Sequence, residues 1–249
     1  MTNANDGLAG LGWSNHSIMQ VSMDERAAGL VPARVLAVHR DGLEVGGEGI
    51  ATRVRQVAGD ADPEAQATVG DFVLVDPLAM RVERVLARRS VFRRRAAGTG
   101  RRVQLIAANV DTLFVVTSCN QDFNVARLER YLALAREAGA MPVVVLTKAD
   151  LAPDTGDYVR AAARLMPGLL VECVDARDPA EVARLAVWCG PGQTVALLGS
   201  SGVGKSTLVN TLSGVDQATA PIRDDDAHGR HTTTGRSMHR LPAGGWLLD

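Results

Sequence analysis

Apolar residues fall in two textures along this chain. Between residues 33 and 86 they form short runs, at 33–39, 43–45, 50–57, 72–75 and 81–86. Turn-forming clusters separate the runs: Arg40-Asp41-Gly42, Gly46-Gly47, Gly59 through Pro63, and Gly70-Asp71. Short strands at this spacing predict a small all-β barrel such as an OB-fold, with an SH3-like barrel reading much the same.

Beyond residue 111 the apolar runs are continuous rather than alternating. Strand-like runs at 112–117, 141–146, 169–174 and 194–198 are separated by helical patterns at 124–138, 157–166 and 180–188. In the first helix Val125, Leu128, Leu132 and Ala135 share a face, and Gly139 is placed to end it. Near-continuous apolar strands between helices predict a parallel sheet buried on both faces, an α/β domain. The chain therefore divides into an N-terminal arm (1–30), a β-barrel domain (31–95) and an α/β domain (96–249).

The run at 194–198 leads directly into Gly199-Ser200-Ser201-Gly202-Val203-Gly204-Lys205-Ser206, and residues 206–212 read as a helix. This is a complete G-x-x-x-x-G-K-[ST] phosphate loop in the strand–loop–helix context that the motif requires. Its glycines let backbone N–H groups close around a phosphate, and the helix N-terminus adds partial positive charge. Lys205 reaches the outer phosphates, Ser206 offers a hydroxyl to Mg²⁺, and Thr207 extends the nucleotide-binding set. The bland alternative is a Gly/Ser-rich turn before a helix.

The loop stands late in the chain, with too little sequence after it for the remaining strands of a nucleotide-binding domain. The missing pieces lie upstream. Residues 143–146 form an apolar strand that ends in Thr147-Lys148-Ala149-Asp150, a T-K-x-D variant of the N-K-x-D guanine motif. A carboxylate at Asp150 can accept from the ring N–H and the exocyclic amine of guanine, a donor pair that adenine lacks. The Lys148 stem can lie over the base. Thr147 in place of Asn weakens one supporting hydrogen bond. Asp175-Ala176, after the strand at 169–174, is a degenerate S-A-type turn of the kind whose backbone supports the guanine oxygen. Alone each of these is weak; a strand-end Lys and Asp are common. Their order, base motif, base-supporting turn, phosphate loop, is that of a circularly permuted GTPase domain, a rearrangement that neighbouring domain termini permit.

Composition narrows the setting. Of 249 residues 46% are hydrophobic and 22% charged, with a net charge of −1. No apolar run approaches a transmembrane span and the N-terminus has no signal-peptide pattern, so a cytoplasmic protein is expected. Cys119, Cys173 and Cys189 sit in or beside apolar runs and read as small core residues. Locally the charge is one-sided. Between 81 and 102 stand nine arginines (81, 84, 88, 89, 93, 94, 95, 101 and 102) against the single acid Glu83. Such a run is expected for phosphate-backbone contact, with salt-sensitive binding that Glu at Arg93, Arg94 and Arg95 would weaken. A solvated face would read the same way. Aromatic stacking platforms are scarce, so backbone contact is expected rather than base stacking.

Several stretches resemble one family. Leu11-Gly12-Trp13, Gly70-Asp71, Arg88-Arg89-Ser90, residues 107–111, Asp122-Phe123-Asn124, residues 127–132, the two nucleotide motifs and Gly229-Arg230-His231-Thr232-Thr233-Thr234 keep the order found in the RsgA (YjeQ) family. These are circularly permuted GTPases of bacteria that depend on the small ribosomal subunit. The resemblance implies an OB-fold ahead of the permuted domain, binding of GTP and GDP with Mg²⁺, and GTP hydrolysis stimulated by the small subunit. It further implies rRNA contact and a role in late maturation of that subunit; a monomer is expected. Catalytic roles fall to Lys205, Thr232 and His231: Thr232 would meet Mg²⁺ once the γ-phosphate is present, and His231 would orient water. Mg²⁺ ligands would be Ser206, Thr232 and Asp249, the last being the Asp of a D-x-x-G motif at which the chain stops. The family continues into a zinc-binding domain, so the sequence reads as a fragment and the zinc ligands are expected outside it. Two other readings stay open: a P-loop ATPase or kinase with an accessory barrel, and a non-catalytic RNA-binding module that nucleotide only regulates.

Overall fold

The computed structural model describes residues 7–56, 65–95, 103–214 and 236–248. The arm contains a 3₁₀ turn, Leu8–Leu11, and two short helices, α1 (Asn15–Ile18) and α2 (Met23–Ala27). A capping box starts α2: the Ser22 hydroxyl accepts from the Glu25 N–H, and Glu25 accepts from the Ser22 N–H.

Five strands follow: β1 (Val31–His39), β2 (Gly42–Gly47), β3 (Ile50–Val54), β4 (Phe72–Asp76) and β5 (Arg81–Val85). They pair antiparallel in the order β3-β2-β1-β4-β5. A parallel bridge from Arg55 to Arg81 joins the two edges. The sheet therefore closes into the five-stranded barrel architecture of the OB-fold. Ala33, Val35, Leu43, Val45, Val73 and Val82 fill its interior. Of the expected strand at 50–57, Val57 lies outside the described residues.

An element absent from the sequence reading comes next. β6 (Val91–Arg95) and β7 (Val103–Ala108) pair antiparallel as a two-stranded ribbon. The ribbon straddles residue 95, where the sequence suggests a boundary.

The remaining elements are β8 (Thr112–Ser118), α3 (Val125–Ala138), β9 (Met141–Thr147), α4 (Gly156–Ala163), β10 (Leu170–Cys173), α5 (Pro179–Val182), β11 (Thr194–Gly199), α6 (Lys205–Leu212), β12 (Met238–Arg240) and β13 (Trp246–Leu248). A 3₁₀ segment, Ala183–Trp188, completes what the sequence suggests is one helix. The strands form one sheet in the order β10-β9-β8-β11-β13-β12, parallel except for the edge strand β12. Alternate residues of each strand serve opposite faces. Leu113 and Val115 share a core cluster with Leu128 and Leu132 of α3, whereas Phe114 and Val116 share another with Leu185 and Leu208. Burial on both faces is why these strands read as unbroken apolar runs. Helix α3 is capped by the Asn124 side chain and ended by Gly139 at φ +81°. Its buried face is Leu128, Leu132, Ala135 and Ala138; Val125, expected on that face, is exposed.

Candidate guanine-nucleotide site

The order of the sheet determines where the motifs meet. β8 runs to β9 and β10 on one side, and β11 lies on its other side. The carboxyl ends of β8 and β11 thus flank a topological switch point, where open α/β sheets bind ligands. Thr147 ends β9, Gly199 ends β11, and the turn at 174–176 follows β10.

The phosphate loop is held close to the sheet. A Cβ at Gly199 would lie 2.4 Å from the Val116 carbonyl oxygen, so only glycine allows this approach of β11 to β8. Gly204 has φ +92° and precedes the first residue of α6. No side chain caps that end of the helix, which leaves its leading N–H groups facing the loop. Lys205 Nζ donates to the carbonyls of Gly199 (2.9 Å) and Ser200 (2.6 Å), curling the side chain across the loop mouth. Arg127 of α3 donates to the Ser200 hydroxyl. Val203 is buried, whereas Ser201, Gly202 and Ser206 are exposed and Thr207 is half-buried. An uncapped helix N-terminus, a Lys over the loop and an exposed Ser206 hydroxyl fit a phosphate chain with Mg²⁺.

Thr147 links the base motif to this loop. Its hydroxyl lies 2.5 Å from the Val203 carbonyl and 3.1 Å from that of Thr117, at the end of β8. One proton serves one acceptor at a time, and the fully buried Thr147 side chain links the end of β9 to the phosphate loop. Lys148 follows in the left-handed region at φ +55°, which turns the chain into the 3₁₀ segment Ala149–Leu151 that presents Asp150. The Thr211 hydroxyl on α6 donates to the Ala176 carbonyl at 2.7 Å, tying the base-supporting turn to the phosphate-loop helix.

Two features have no counterpart in the sequence reading. Arg177 bridges Asp150 and Asp175: Nη2 lies 2.6 Å from Asp150 Oδ2, and Nε lies 3.1 Å from Asp175 Oδ1. This guanidinium and the Arg177 N–H hold the Asp175 carboxyl below the usual carboxylate range. The Asp175 N–H is itself taken by Glu181 Oε2 at 2.8 Å. Second, Cys173 and Cys119 place their sulfurs 3.8 Å apart on either side of β9. Cys119 and Cys189 are buried, as expected for core residues, but Cys173 is half-buried. It lines a groove of about 770 Å³ that also meets Asp150, Thr155, Glu181 and Arg184.

The arginine run between 81 and 102 is less one-sided in space than in sequence. Arg88 pairs bidentately with buried Asp71 (2.7 and 2.8 Å). Arg84 pairs with Glu25, Arg89 with Asp111, and Arg81 with Glu83. Arg94 donates to the Gln104 side chain, and Arg93 also has a partner. Glu83 is the acid within the run; Glu25, Asp71 and Asp111 lie outside it, so a count over 81–102 does not find them. Arg101, Arg102, His231, Thr232 and Asp249 lie outside the described residues. Among the described residues no three His, Cys, Asp or Glu side chains gather as a metal cage, and no helix is long and apolar enough to cross a membrane.

Comparison with known proteins follows the same lines. Residues 85–249 match the family described as RsgA GTPase. A "Small ribosomal subunit biogenesis GTPase RsgA" from Mesorhizobium japonicum is 51% identical over 257 residues, spanning 100% of this chain and 72% of that protein. "Small ribosomal subunit biogenesis GTPase RsgA 2" from Vibrio vulnificus is 46% identical, spanning 97% and 68%. Among solved structures, YjeQ from Thermotoga maritima superposes with a TM-score of 0.65 at 21% identity, covering 88% of this chain and 74% of that one. YloQ, described as a circularly permuted GTPase, superposes with a TM-score of 0.63 at 22% identity, covering 88% and 70%. At such identity the structural likeness speaks for the fold, which is that of a circularly permuted GTPase.

Proposed function

The chain belongs to the RsgA GTPase family, and we propose that it binds GTP and GDP, hydrolyses GTP and acts in biogenesis of the small ribosomal subunit in the cytoplasm. The observation that carries the nucleotide reading is the hydrogen bond from Thr147 to Val203. It ties the strand end that leads to Asp150 to the phosphate loop, although the two are far apart in sequence, and so supports reading them as one site. Residues 199–207 hold the phosphates, with Lys205 neutralising their charge and Ser206 as a Mg²⁺ ligand. Thr147, Lys148, Asp150 and the turn at Asp175-Ala176 hold the base. Mg²⁺ supplies charge neutralisation at the phosphates when bound. Thr232, His231 and Asp249 keep the roles that the family resemblance implies, as further Mg²⁺ ligands and water-orienting group. No zinc ligand is assigned within residues 1–249.

The subunit role is supported by the names and identity of the relatives. Phosphoryl transfer rests on positioning and charge neutralisation, so a partner that orders the site can raise the rate by roughly 10³–10⁵. Calorimetry tests the nucleotide reading: GDP should bind far more tightly than ADP, and Asp150→Ala should weaken GDP on the order of tenfold or more by leaving two base donors unpaired. Single-turnover hydrolysis with and without small subunits tests the partner. Equal GDP and ADP affinity removes the guanine assignment; a rate indifferent to subunits removes the ribosomal one.

A further inference from the structure

The turn after β10 reads Asp175-Ala176-Arg177, with an acid where an S-A-type turn has a neutral hydroxyl. That acid stands next to the carboxylate assigned to guanine. One guanidinium joins them: Arg177 Nη2 reaches Asp150 Oδ2 at 2.6 Å and Asp175 Oδ2 at 3.2 Å, while Nε reaches Asp175 Oδ1 at 3.1 Å. Like charges in one site disfavour joint ionisation and push each other apart. Asp175 on its own would therefore push against the position that Asp150 needs.

Solvent exposure limits what this contact does for stability. The Arg177 side chain is 61% exposed and that of Asp150 27%. Ion pairs at such a surface contribute little to folding. What such a contact can do is orient the Asp150 carboxylate, which Arg177 meets at 2.6 Å. A carboxylate offers about four lone-pair sites, so Arg177 on Oδ2 leaves capacity for both guanine donors. The neighbouring charges, Glu181 and Arg184, are 3.7 Å apart and paired with each other, which leaves Arg177 as the cation that balances Asp175.

We propose that Arg177 is a positioning residue for guanine recognition: it offsets the Asp175 charge and holds the Asp150 carboxylate in place to read the base. The turn then works through a compensated Asp–Arg pair in place of a neutral residue. This inference rests on the guanine assignment of Asp150.

The test is a cycle of variants titrated with GDP, IDP and ADP. IDP lacks the exocyclic amine that Asp150 reads, so the GDP:IDP ratio reports on the orientation of that carboxylate. Arg177→Ala should weaken GDP roughly tenfold and narrow the GDP:IDP ratio, with an unchanged melting temperature, because an uncompensated Asp175 is left beside Asp150. Arg177→Lys should restore part of the affinity as a point charge. Asp175→Ser combined with Arg177→Ala should restore most of it, since the charge that needed balancing is gone. GDP affinity unchanged or tightened in Arg177→Ala overturns the proposal, as does a loss that Asp175→Ser fails to repair. A parent chain that binds GDP and ADP alike overturns the guanine assignment itself, a result read from the parent alone.

Discussion

Thr147 shows how one side chain can satisfy a motif that it departs from. Asn would bring two amide protons to the loop; Thr brings one, yet the short side chain sits between the Thr117 and Val203 carbonyls and reaches both. A sequence pattern records residue type and not reach. Cys173 departs from its reading in the other direction. All three cysteines read as inert core residues, and burial does push the Cys189 thiol up to about 12. The Cys119 thiol beside Cys173 brings the latter down to about 7, while Cys119 itself moves well above the usual thiol range. Thiolate is the reactive form. Iodoacetamide followed by peptide mass spectrometry should therefore find Cys173 alkylated first, at a rate rising through about pH 7. Equal labelling of the three cysteines, or a rate flat from pH 6 to 8, would contradict this.

Helical periodicity locates α3 but not the whole of its contact face. Val125 is the first helical residue after the Asn124 cap, and it is 40% exposed while Leu128 is 1% exposed. Leu128→Ala should cost about 3 kcal/mol, lowering Tm by roughly 6–12 °C, and Val125→Ala should stay within about 0.5 kcal/mol. Thermal unfolding of both variants measures the difference; a similar loss in each would mean that the helix is rotated from its position here. The β6–β7 ribbon escapes pattern reading for a physical reason. Arg93, Arg94 and Arg95 occupy successive positions, so no apolar alternation marks β6. What defines the strand is its register against β7, from Val91↔Ala108 to Arg95↔Val103.

At the scale of the molecule the barrel and the sheet are joined by buried polar groups. Arg34 of β1 is 1% exposed. It donates to the carbonyls of Leu11 in the arm (2.6 Å), Gly70 before β4 (3.2 Å) and Asn109 before β8 (3.1 Å), and lies over the Phe72 ring at 5.0 Å. Burial lowers its pKa to about 10, which leaves it charged at neutral pH. Gly70 packs so closely that a Cβ would meet the Ala108 oxygen at 2.1 Å. The Trp246 indole N–H donates to the Gly10 carbonyl at 2.8 Å, so the arm is fastened to the sheet as well. Arg34→Met should cost about 3–5 kcal/mol, because it takes the donor from the buried Leu11 and Asn109 carbonyls, while the Gly70 carbonyl keeps the Asn109 side-chain amide at 3.1 Å. Urea denaturation should show this as a lower midpoint; an unchanged midpoint would mean that the joint is held by apolar packing alone.

The sequence by itself determined the chemistry that is local. The phosphate loop, the strand-end T-K-x-D, the capped helix α3 and the apolar strands each follow from residues close together in the chain, where spacing and backbone preference decide. The order of base motif, base-supporting turn and phosphate loop along the chain implied a permuted domain. Tertiary structure alone decided what depends on partners distant in sequence. It brought Arg177 to Asp150 across 27 positions and Thr147 to Val203 across 56. It also turned much of a basic run into ion pairs within the chain: Gly70-Asp71 and Arg88-Arg89-Ser90, read separately as family marks, are joined through the Asp71–Arg88 pair. Charge and hydrogen-bonding capacity are visible in a sequence, but which opposite group consumes them is settled only when the chain folds back on itself.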